Sequence, residues 1–241
     1  LSFAVAQKEP TRSDFTDRYK FAADDTYPSS EKLYDWELGY QYTAPRLSLG
    51  VNLYYMKNKD QLVQTGMVND DSTALNTNVP DSYRRGVELS ASWRATGWFT
   101  VGANATFSQN RIENYVDALK DSPTYGKELG DMTIAYSPDV IANAFLNFHH
   151  RGFEAVFHTQ HVGKQYFTNN ENDALSLDAY CVTNLNLAYT FRTRSARSVR
   201  LGLLINNLFN AEYASNGYGY SYMDTWSGPA PVRIDEAYYF P

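Results

Sequence analysis

A single cysteine, Cys181, stands in 241 residues, so no disulfide can close within the chain and cysteine usage says nothing about redox compartment. It reads as a small residue near the start of a strand. No uninterrupted apolar run reaches the length of about eighteen residues that a membrane-crossing helix needs, and mean hydropathy is negative. A helical span is excluded. No segment is rich in Lys or Arg and the formal net charge is −6, which leaves no electrostatic footprint for a nucleic-acid partner. Leu1 is not followed by a charged n-region, an apolar h-region and a small-residue cleavage site, so no export signal is visible.

What the chain has in quantity is aromatic side chains, 15% of the sequence with 20 Tyr and 13 Phe, which favours strands and membrane interfaces. These aromatics fall into long alternations. Leu47, Leu49, Val51, Leu53 and Tyr55 are separated by Ser48, Gly50, Asn52 and Tyr54, and successive strand side chains face opposite ways. One side of such a strand is greasy and the other polar.

The alternation predicts nine strands and the beginning of a tenth. The first carries Leu1, Phe3 and Val5 on one face, and a polar stretch over residues 8 to 32 separates it from a second with Tyr34, Trp36, Leu38, Tyr40 and Tyr42. A tight return around Pro45 leads into the Leu47 strand. Residues 58 to 82, rich in Asn and Asp, read as a long loop. Beyond it, Val87, Leu89, Ala91 and Trp93 turn through Thr96 and Gly97 into Phe99, Val101, Ala103, Ala105 and Phe107. A long segment over 113 to 139 precedes Val140, Ala142, Ala144, Leu146 and Phe148, which turn at Arg151 and Gly152 into Phe153, Ala155 and Phe157. The last pair is Thr183, Leu185, Leu187, Tyr189 and Phe191 with Val199, Leu201, Leu203 and Ile205, joined by a basic turn holding Arg192, Arg194 and Arg197. Short and long connections therefore alternate, as they do in outer-membrane barrels.

A soluble β-sandwich also alternates, but its strands average five or six residues and it has no reason to keep long loops at one end. Roughly forty apolar side chains share one set of faces, at about 1.5 to 3 kcal/mol each for burial, which no soluble surface leaves wet. The opposite faces carry too much Gly, Ser, Asn, Thr and Glu to form a core. Lipid is the simpler partner. Trp93, Trp98, Phe148, Phe153, Tyr189 and Phe191 lie beside short turns, where an aromatic girdle would meet the inner bilayer surface.

The four histidines, His149, His150, His158 and His161, flank one hairpin, yet odd spacings send neighbouring side chains to opposite faces, so a structural role is expected and no metal site. Neither a G-x-S-x-G elbow nor an H-E-x-x-H motif is present, so no catalytic residue is assigned. Gly217 and Gly219 form a G-x-G without a strand-to-helix context, hence no nucleotide site. The run over residues 169 to 173 supplies oxygens that calcium prefers, but a solvated acidic loop is the expectation. Arg192, Arg194 and Arg197 likewise read as a solvated turn. The most suggestive loop holds Tyr218, Tyr220, Tyr222 and Trp226 with Asn216 and Asp224, and aromatic faces beside polar groups suit planar or sugar-like ligands. Those four aromatics are the ligand-binding candidates, against the alternative of a self-packing loop.

Several blocks resemble, in order, the TonB-dependent receptors of Gram-negative outer membranes. AQKEPTRSDF, with Pro10 and Thr11, is similar to the family's strand ending in a Pro-Thr step; EKLYDWELGY supplies Glu37 and Gly39 of a Glu-x-Gly strand. Its Pro28 is followed by Ser29 and Ser30, a departure from the usual Pro-Glu spacing. RRGVELSASW, with Gly86 and Glu88, resembles the Gly-Val-Glu-Leu strand, and INNLFNAEY, with Asn206, Asn207, Leu208, Phe209, Asn210 and Tyr213, resembles the near-terminal Asn-Leu-Phe-Asn-x-x-Tyr motif. The resemblance implies an all-β fold, an antiparallel transmembrane β-barrel of which this chain is the C-terminal portion, about nine to ten strands of about 22. It implies that residues 1–241 belong to the barrel domain, with the plug domain, early strands and final strand lying outside the chain. A multi-pass place in the outer membrane follows, in contact with lipid and lipopolysaccharide, with the receptor's own plug and with TonB as partners and no cofactor. The implied activity is TonB-energised import of a scarce nutrient, a ferric siderophore first, then haem, cobalamin or oligosaccharide. The alternatives are a passive structural or adhesion barrel and, behind it, an outer-membrane hydrolase.

Overall fold

The computed structural model describes residues 1–16, 27–68, 74–120, 122–193 and 197–240. In chain order the elements are β1 (Ser2–Lys8), the short helix α1 (Arg12–Thr16), β2 (Glu31–Ala44), β3 (Leu47–Val68), β4 (Ala74–Arg94), β5 (Phe99–Ile112), β6 (Met132–Thr133), β7 (Val140–His150), β8 (Phe153–Val162), β9 (Gln165–Tyr166), a 3₁₀ turn (Asp173–Leu175), β10 (Ser176–Leu177), β11 (Tyr180–Phe191), β12 (Val199–Ile205), β13 (Asn216–Asp224) and β14 (Val232–Phe240). One ten-stranded sheet runs in the order β1-β2-β3-β4-β5-β7-β8-β11-β12, with β6 against β5. Every pairing along it is antiparallel. The sheet is open: β1 and β12 are its two ends.

Register carries the apolar faces across this sheet without a slip. Leu38 pairs with Leu53, Leu53 with Val87, Val87 with Phe107 and Phe107 with Val140. Lower down, Trp93 faces Val101, Val101 faces Leu146, Leu146 faces Phe157 and Phe157 faces Leu185, which faces Ile205. A slip of one residue would turn a whole strand's side chains to the other side, so this continuity defines one greasy surface. Among the described residues no second layer covers it. Leu38, Leu53, Leu89, Trp93, Phe107, Leu146, Phe153, Tyr189, Leu201 and Leu203 are all exposed. The Leu47, Val87, Phe99 and Val199 series thus lies on the open face of a single sheet, as expected of a wall against lipid. Strands of 14, 14, 11, 10 and 12 residues in β2, β5, β7, β8 and β11 are long enough to cross at a tilt.

The short turns are built as the sequence requires. Arg151 and Gly152 both have positive φ, 48° and 84°, the conformation of a two-residue turn that matches strand twist. A Cβ on Gly152 would lie 2.3 Å from the Thr190 carbonyl oxygen. Around the short turns Trp98 stacks on Phe148 at 6.3 Å and Tyr189 on Phe191 at 6.1 Å.

Two stretches differ from the sequence reading. Residues 58 to 82 are not a loop: β3 and β4, of 22 and 21 residues, continue their ladder past Lys59 and Asp81 to Gln64 and Asn76. Val63 and Val79 are buried on one face there, but Asn58, Asp60, Asn76 and Asn78 interrupt the apolar alternation, so the sequence reads as loop while keeping its backbone pairing. An outer cluster of Val63, Val79, Ile112, Tyr115 and Ile134 supports this extension, with Leu129 and Met132 packed against it. The second stretch is the segment after β12, which folds as the β13–β14 hairpin instead of a loop, and Tyr238 and Tyr239 pair with β13, not with β12.

The long connections and this hairpin gather at one end of the sheet and the short turns at the other. In a bacterial outer-membrane barrel the long loops are extracellular. Among the described residues no helix is long and apolar enough to cross a membrane, which says nothing of crossing by strands.

Candidate functional site

The β13–β14 hairpin has two unlike faces. Strand alternation sends Gly217, Gly219 and Ser221 to one side and Tyr218, Tyr220 and Tyr222 to the other. The glycine side sits on a small core of Phe167, Leu175 and Leu177, in which Phe167 is 0% exposed. A Cβ on Gly217 would stand 2.7 Å from Phe167 Cζ, and one on Gly219 would stand 2.9 Å from both Phe167 Cδ2 and Leu175 Cδ2. Only a residue without a side chain lets the hairpin approach this closely. The G-x-G is therefore a seat for the hairpin, consistent with its exclusion as a nucleotide loop.

Seating the glycines presents the tyrosines outward as a row. Tyr218 stacks on Tyr238 at 4.9 Å and on Phe240 at 6.0 Å, and Tyr220 lies 6.4 Å from Tyr222. Three phenols converge on one carboxylate: Tyr220 Oη donates to Glu236 Oε2 at 2.5 Å, Tyr238 Oη to the same oxygen at 3.0 Å, and Tyr222 Oη to Oε1 at 3.3 Å. Donation from Tyr220 and then Tyr238 holds the Glu236 carboxyl below its ordinary range, and the carboxylate in return pushes both phenols up. At neutral pH the cluster thus presents aromatic faces, fixed phenol oxygens and one negative charge. Trp226 is not part of it. It stands 88% exposed at the hairpin tip, where Asp224 Oδ1 accepts from the backbone N–H groups of Trp226 and Ser227 at 2.9 and 3.1 Å. Glu236 is absent from the sequence reading, although Ile234, Glu236, Tyr238 and Phe240 alternate with period two.

On the inward face, Glu37, Tyr54, Arg84, Glu88 and Tyr136 line a concavity of about 320 Å³. Arg84 donates to Asn110 Oδ1 at 3.2 Å and to Ser137 Oγ at 2.9 Å, and Asn52 Nδ2 donates to Glu88 at 3.2 Å. Gly86 lets the Tyr54 ring lie across β4: a Cβ there would be 2.6 Å from Tyr54 Oη. Glu37, Gly39, Gly86 and Glu88 therefore share the inward wall of β2 and β4. Pro10 and Thr11 lie elsewhere, where β1 gives way to α1, and Thr11 donates through N–H and Oγ1 to Asp14 at 2.7 Å each.

The Asn-Asn-Leu-Phe-Asn segment closes the end of β12. Asn207 N–H donates to Asn184 Oδ1 at 2.9 Å, and the Asn207 amide brackets Ala211, donating to its carbonyl at 2.9 Å and accepting from its N–H at 2.8 Å. Asn207 and Asn210 have φ of 50° and 52°, a left-handed conformation that Asn tolerates. Leu208 N–H donates to Thr183 O at 2.7 Å, Tyr213 stacks on Tyr180 at 4.6 Å, and Phe209 stays 74% exposed. Asn206 is exposed beside it.

The run over 169 to 173 is a knot, not the solvated loop expected. Asn169 is buried, accepting from Ala135 N–H at 2.7 Å and donating to Gln64 O at 2.6 Å. Glu171 accepts from Thr133 N–H and pairs with Arg111, Asp173 pairs with Lys164, and Asn172 caps Ala174. Its oxygens are spent within the protein. His158 pairs across with Phe145 and Asn184 on the inward side, and His161 with Ala142 and Cys181 on the outward side. His149 sits opposite Glu154 and His150 opposite Phe153. Arg192 and Arg197 are exposed, and Arg194 lies outside the described residues.

A single antiparallel sheet, greasy outside and polar within, with short turns at one end and packed loops at the other, is the wall of an outer-membrane β-barrel. The model of the TonB-dependent receptor-like β-barrel matches residues 2–208, and the chain belongs to that family. This is a family of receptors in Gram-negative outer membranes, not of enzymes. The pesticin receptor of Yersinia enterocolitica is 24% identical over 190 residues, which cover 78% of this chain and 26% of that protein. The ferric yersiniabactin uptake receptor FyuA from Yersinia pestis superposes with a TM-score of 0.61 at 20% identity, over 97% of this chain and 32% of its own. The copper transporter OprC gives 0.65 at 20% identity, over 88% of this chain and 31% of its own. The chain thus spans about a quarter to a third of these proteins.

Proposed function

We propose that this chain forms part of the wall and extracellular mouth of a receptor that binds a ferric siderophore at the cell surface and imports it. The receptor's plug would be remodelled by TonB to release the ligand inward. The observation that carries the reading is the seated hairpin, whose Tyr218, Tyr220, Tyr222 and Tyr238 form a rigid aromatic surface around Glu236. Aromatic rings offer large contact area at low entropic cost, and phenols fixed by a carboxylate give directional polar contacts to a planar chelate. Trp226, 88% exposed at the hairpin tip, would add a further aromatic contact. A neighbour in fold named for ferric yersiniabactin supports the siderophore class, while one named for copper shows that the fold serves other cargo.

The test uses the whole protein in its own outer membrane. Quenching of intrinsic fluorescence by ferric siderophores should saturate, and Tyr220→Ala should weaken it about tenfold or more, the loss typical of a buried aromatic anchor. Uptake should stop when TonB is deleted. Saturable uptake that ignores TonB would mean a passive barrel, and saturation by haem or cobalamin but by no siderophore would overturn the substrate class.

A further inference from the structure

The hairpin gathers hard oxygen donors as well as aromatic faces. Tyr220 Oη and Tyr238 Oη both donate to Glu236 Oε2, at 2.5 and 3.0 Å, and Tyr222 Oη donates to Oε1 at 3.3 Å. Two strands therefore bring three oxygens to one point, Tyr220 from β13 and Glu236 and Tyr238 from β14. In an octahedral metal sphere with bonds of about 2.0 Å, neighbouring oxygens stand about 2.9 Å apart. The spacings from Glu236 Oε2 to the two phenol oxygens bracket that edge.

No charge on this face opposes a cation. Among the described residues Glu236 has no Lys, Arg or His partner. Arg233, the one cation in the sequence over 216 to 240, lies on the seated face, where it pairs with Asp235 at 2.8 Å and donates to Ser221 at 3.1 Å. The oxygens are also held in place without a ligand. Gly217 and Gly219 fix one side of the hairpin on Phe167, while the Tyr238 ring stacks on Tyr218 at 4.9 Å and lies 6.5 Å from Tyr220. Donors positioned in advance lose little freedom on binding. The donor types then select the metal. Carboxylate, carbonyl and water oxygens satisfy calcium and magnesium, whereas a phenol must surrender its proton to become a ligand, which favours a cation of higher charge. Tyrosinate serves as an iron ligand in proteins. Glu236 makes a neighbouring phenolate costly by repelling it. A trivalent ion among the three oxygens reverses that sign.

We propose that Tyr220, Tyr238 and Glu236 bind ferric ion directly, as one face of its coordination sphere, with Tyr222 steadying the carboxylate from its other oxygen. Each phenol oxygen bonds to iron as a water or hydroxide leaves the metal. The phenol proton passes to solvent or to that hydroxide, and iron stays ferric throughout. The opposite face of the sphere remains with a chelator. The cargo of this site rests on the siderophore reading above: a chelate with open positions would be held through its metal as well as through its rings.

The whole protein, purified in mild detergent and stripped of iron, is titrated with ferric nitrilotriacetate, which leaves coordination positions open. A visible tyrosinate-to-iron charge-transfer band should grow and saturate at one iron per protein. Tyr220→Phe and Tyr238→Phe, which keep the stacked rings, should each lose most of that band, and the double variant should show none. Tyr239→Phe, on the seated face against Phe167, should keep it. No band in wild type, or an equal band in the double variant, would overturn the proposal. If the double variant fails to assemble, resonance Raman of iron-loaded wild type decides: excitation in the band should enhance tyrosinate ring modes, and their absence would refute phenolate ligation. Quenching by ferric siderophores that persists without the band would overturn direct ligation and leave the receptor reading standing. A band in a protein that binds no siderophore would support the metal site and overturn the siderophore reading.

Discussion

Replacing Phe167 by Ala tests whether the tyrosine row owes its position to the core beneath it. Phe167 is 0% exposed, meets Gly217 and Gly219 from below and lies 5.8 Å from both Tyr136 and Tyr239. Removing a fully buried ring costs about 3–5 kcal/mol, through lost burial and the void left behind. That cost falls locally, because the hairpin forms its own two-stranded sheet and shares no ladder with the ten-stranded one. Opening of such a unit is reported by hydrogen exchange. A loss of about 3 kcal/mol corresponds to roughly a hundred-fold faster exchange. Exchange in the Phe167→Ala variant should therefore accelerate by that order at the amides of Tyr218, Tyr220 and Tyr222, and stay unchanged at Leu53 and Leu89 in the wall. Ligand affinity should fall in parallel, with the barrel intact. Unchanged hairpin protection would refute the seating argument, and uniform acceleration across hairpin and wall would refute its independence.

Three further outcomes follow from the same geometry. Asn207→Ala removes both bonds to Ala211 and should cost about 1–3 kcal/mol of local stability, seen as faster exchange at the Ala211 amide with β3 and β4 unaffected. The Glu236 carboxyl is held below its ordinary value of 4.5, so its anchoring of the phenols is complete above that pH and is lost as pH falls through the lower folded-state value. Protection of the Tyr220 amide, corrected for intrinsic exchange, should drop across that acidic window in wild type and show no such step in Glu236→Gln. Leu89→Arg, on the outward face, should lose about 2–4 kcal/mol in bilayer unfolding if it lies near the midplane, while inward-facing Ser90→Arg should lose far less.

The wall was legible because burial in lipid imposes a strict period of two, and the Leu47, Val87, Phe99 and Val199 series lost none of it. Beyond the greasy band that constraint disappears, and polar side chains interrupt the alternation even where Val63 and Val79 are buried. Residues 58 to 82 then read as loop from their Asn and Asp content, although backbone hydrogen bonds keep them paired as far as Gln64 and Asn76. The hairpin was hidden for a different reason. Gly217 and Gly219 look like loop punctuation, and only the Phe167 ring, fifty positions earlier in the chain, explains why one face must lack side chains. Tyr218, Tyr220 and Tyr222 were found by composition, and Glu236, which orders them, lies across a strand pairing that composition does not reveal. Trp226 was grouped with the tyrosines by proximity in sequence; the turn after Asp224 separates it from their row.

The outward side chains of this sheet touch hydrocarbon, and their inward neighbours meet water. Single cysteines placed in turn at positions 49 to 54 and 87 to 92 of the whole protein, in a Cys181→Ser background, can carry a nitroxide in reconstituted bilayers. Accessibility to dissolved oxygen should peak at Leu49, Val51, Leu53, Val87, Leu89 and Ala91, and accessibility to a water-soluble nickel chelate at Gly50, Asn52, Tyr54, Glu88, Ser90 and Ser92. Accessibility without that alternation, or with the two sets exchanged, would contradict the reading of this sheet as a membrane wall.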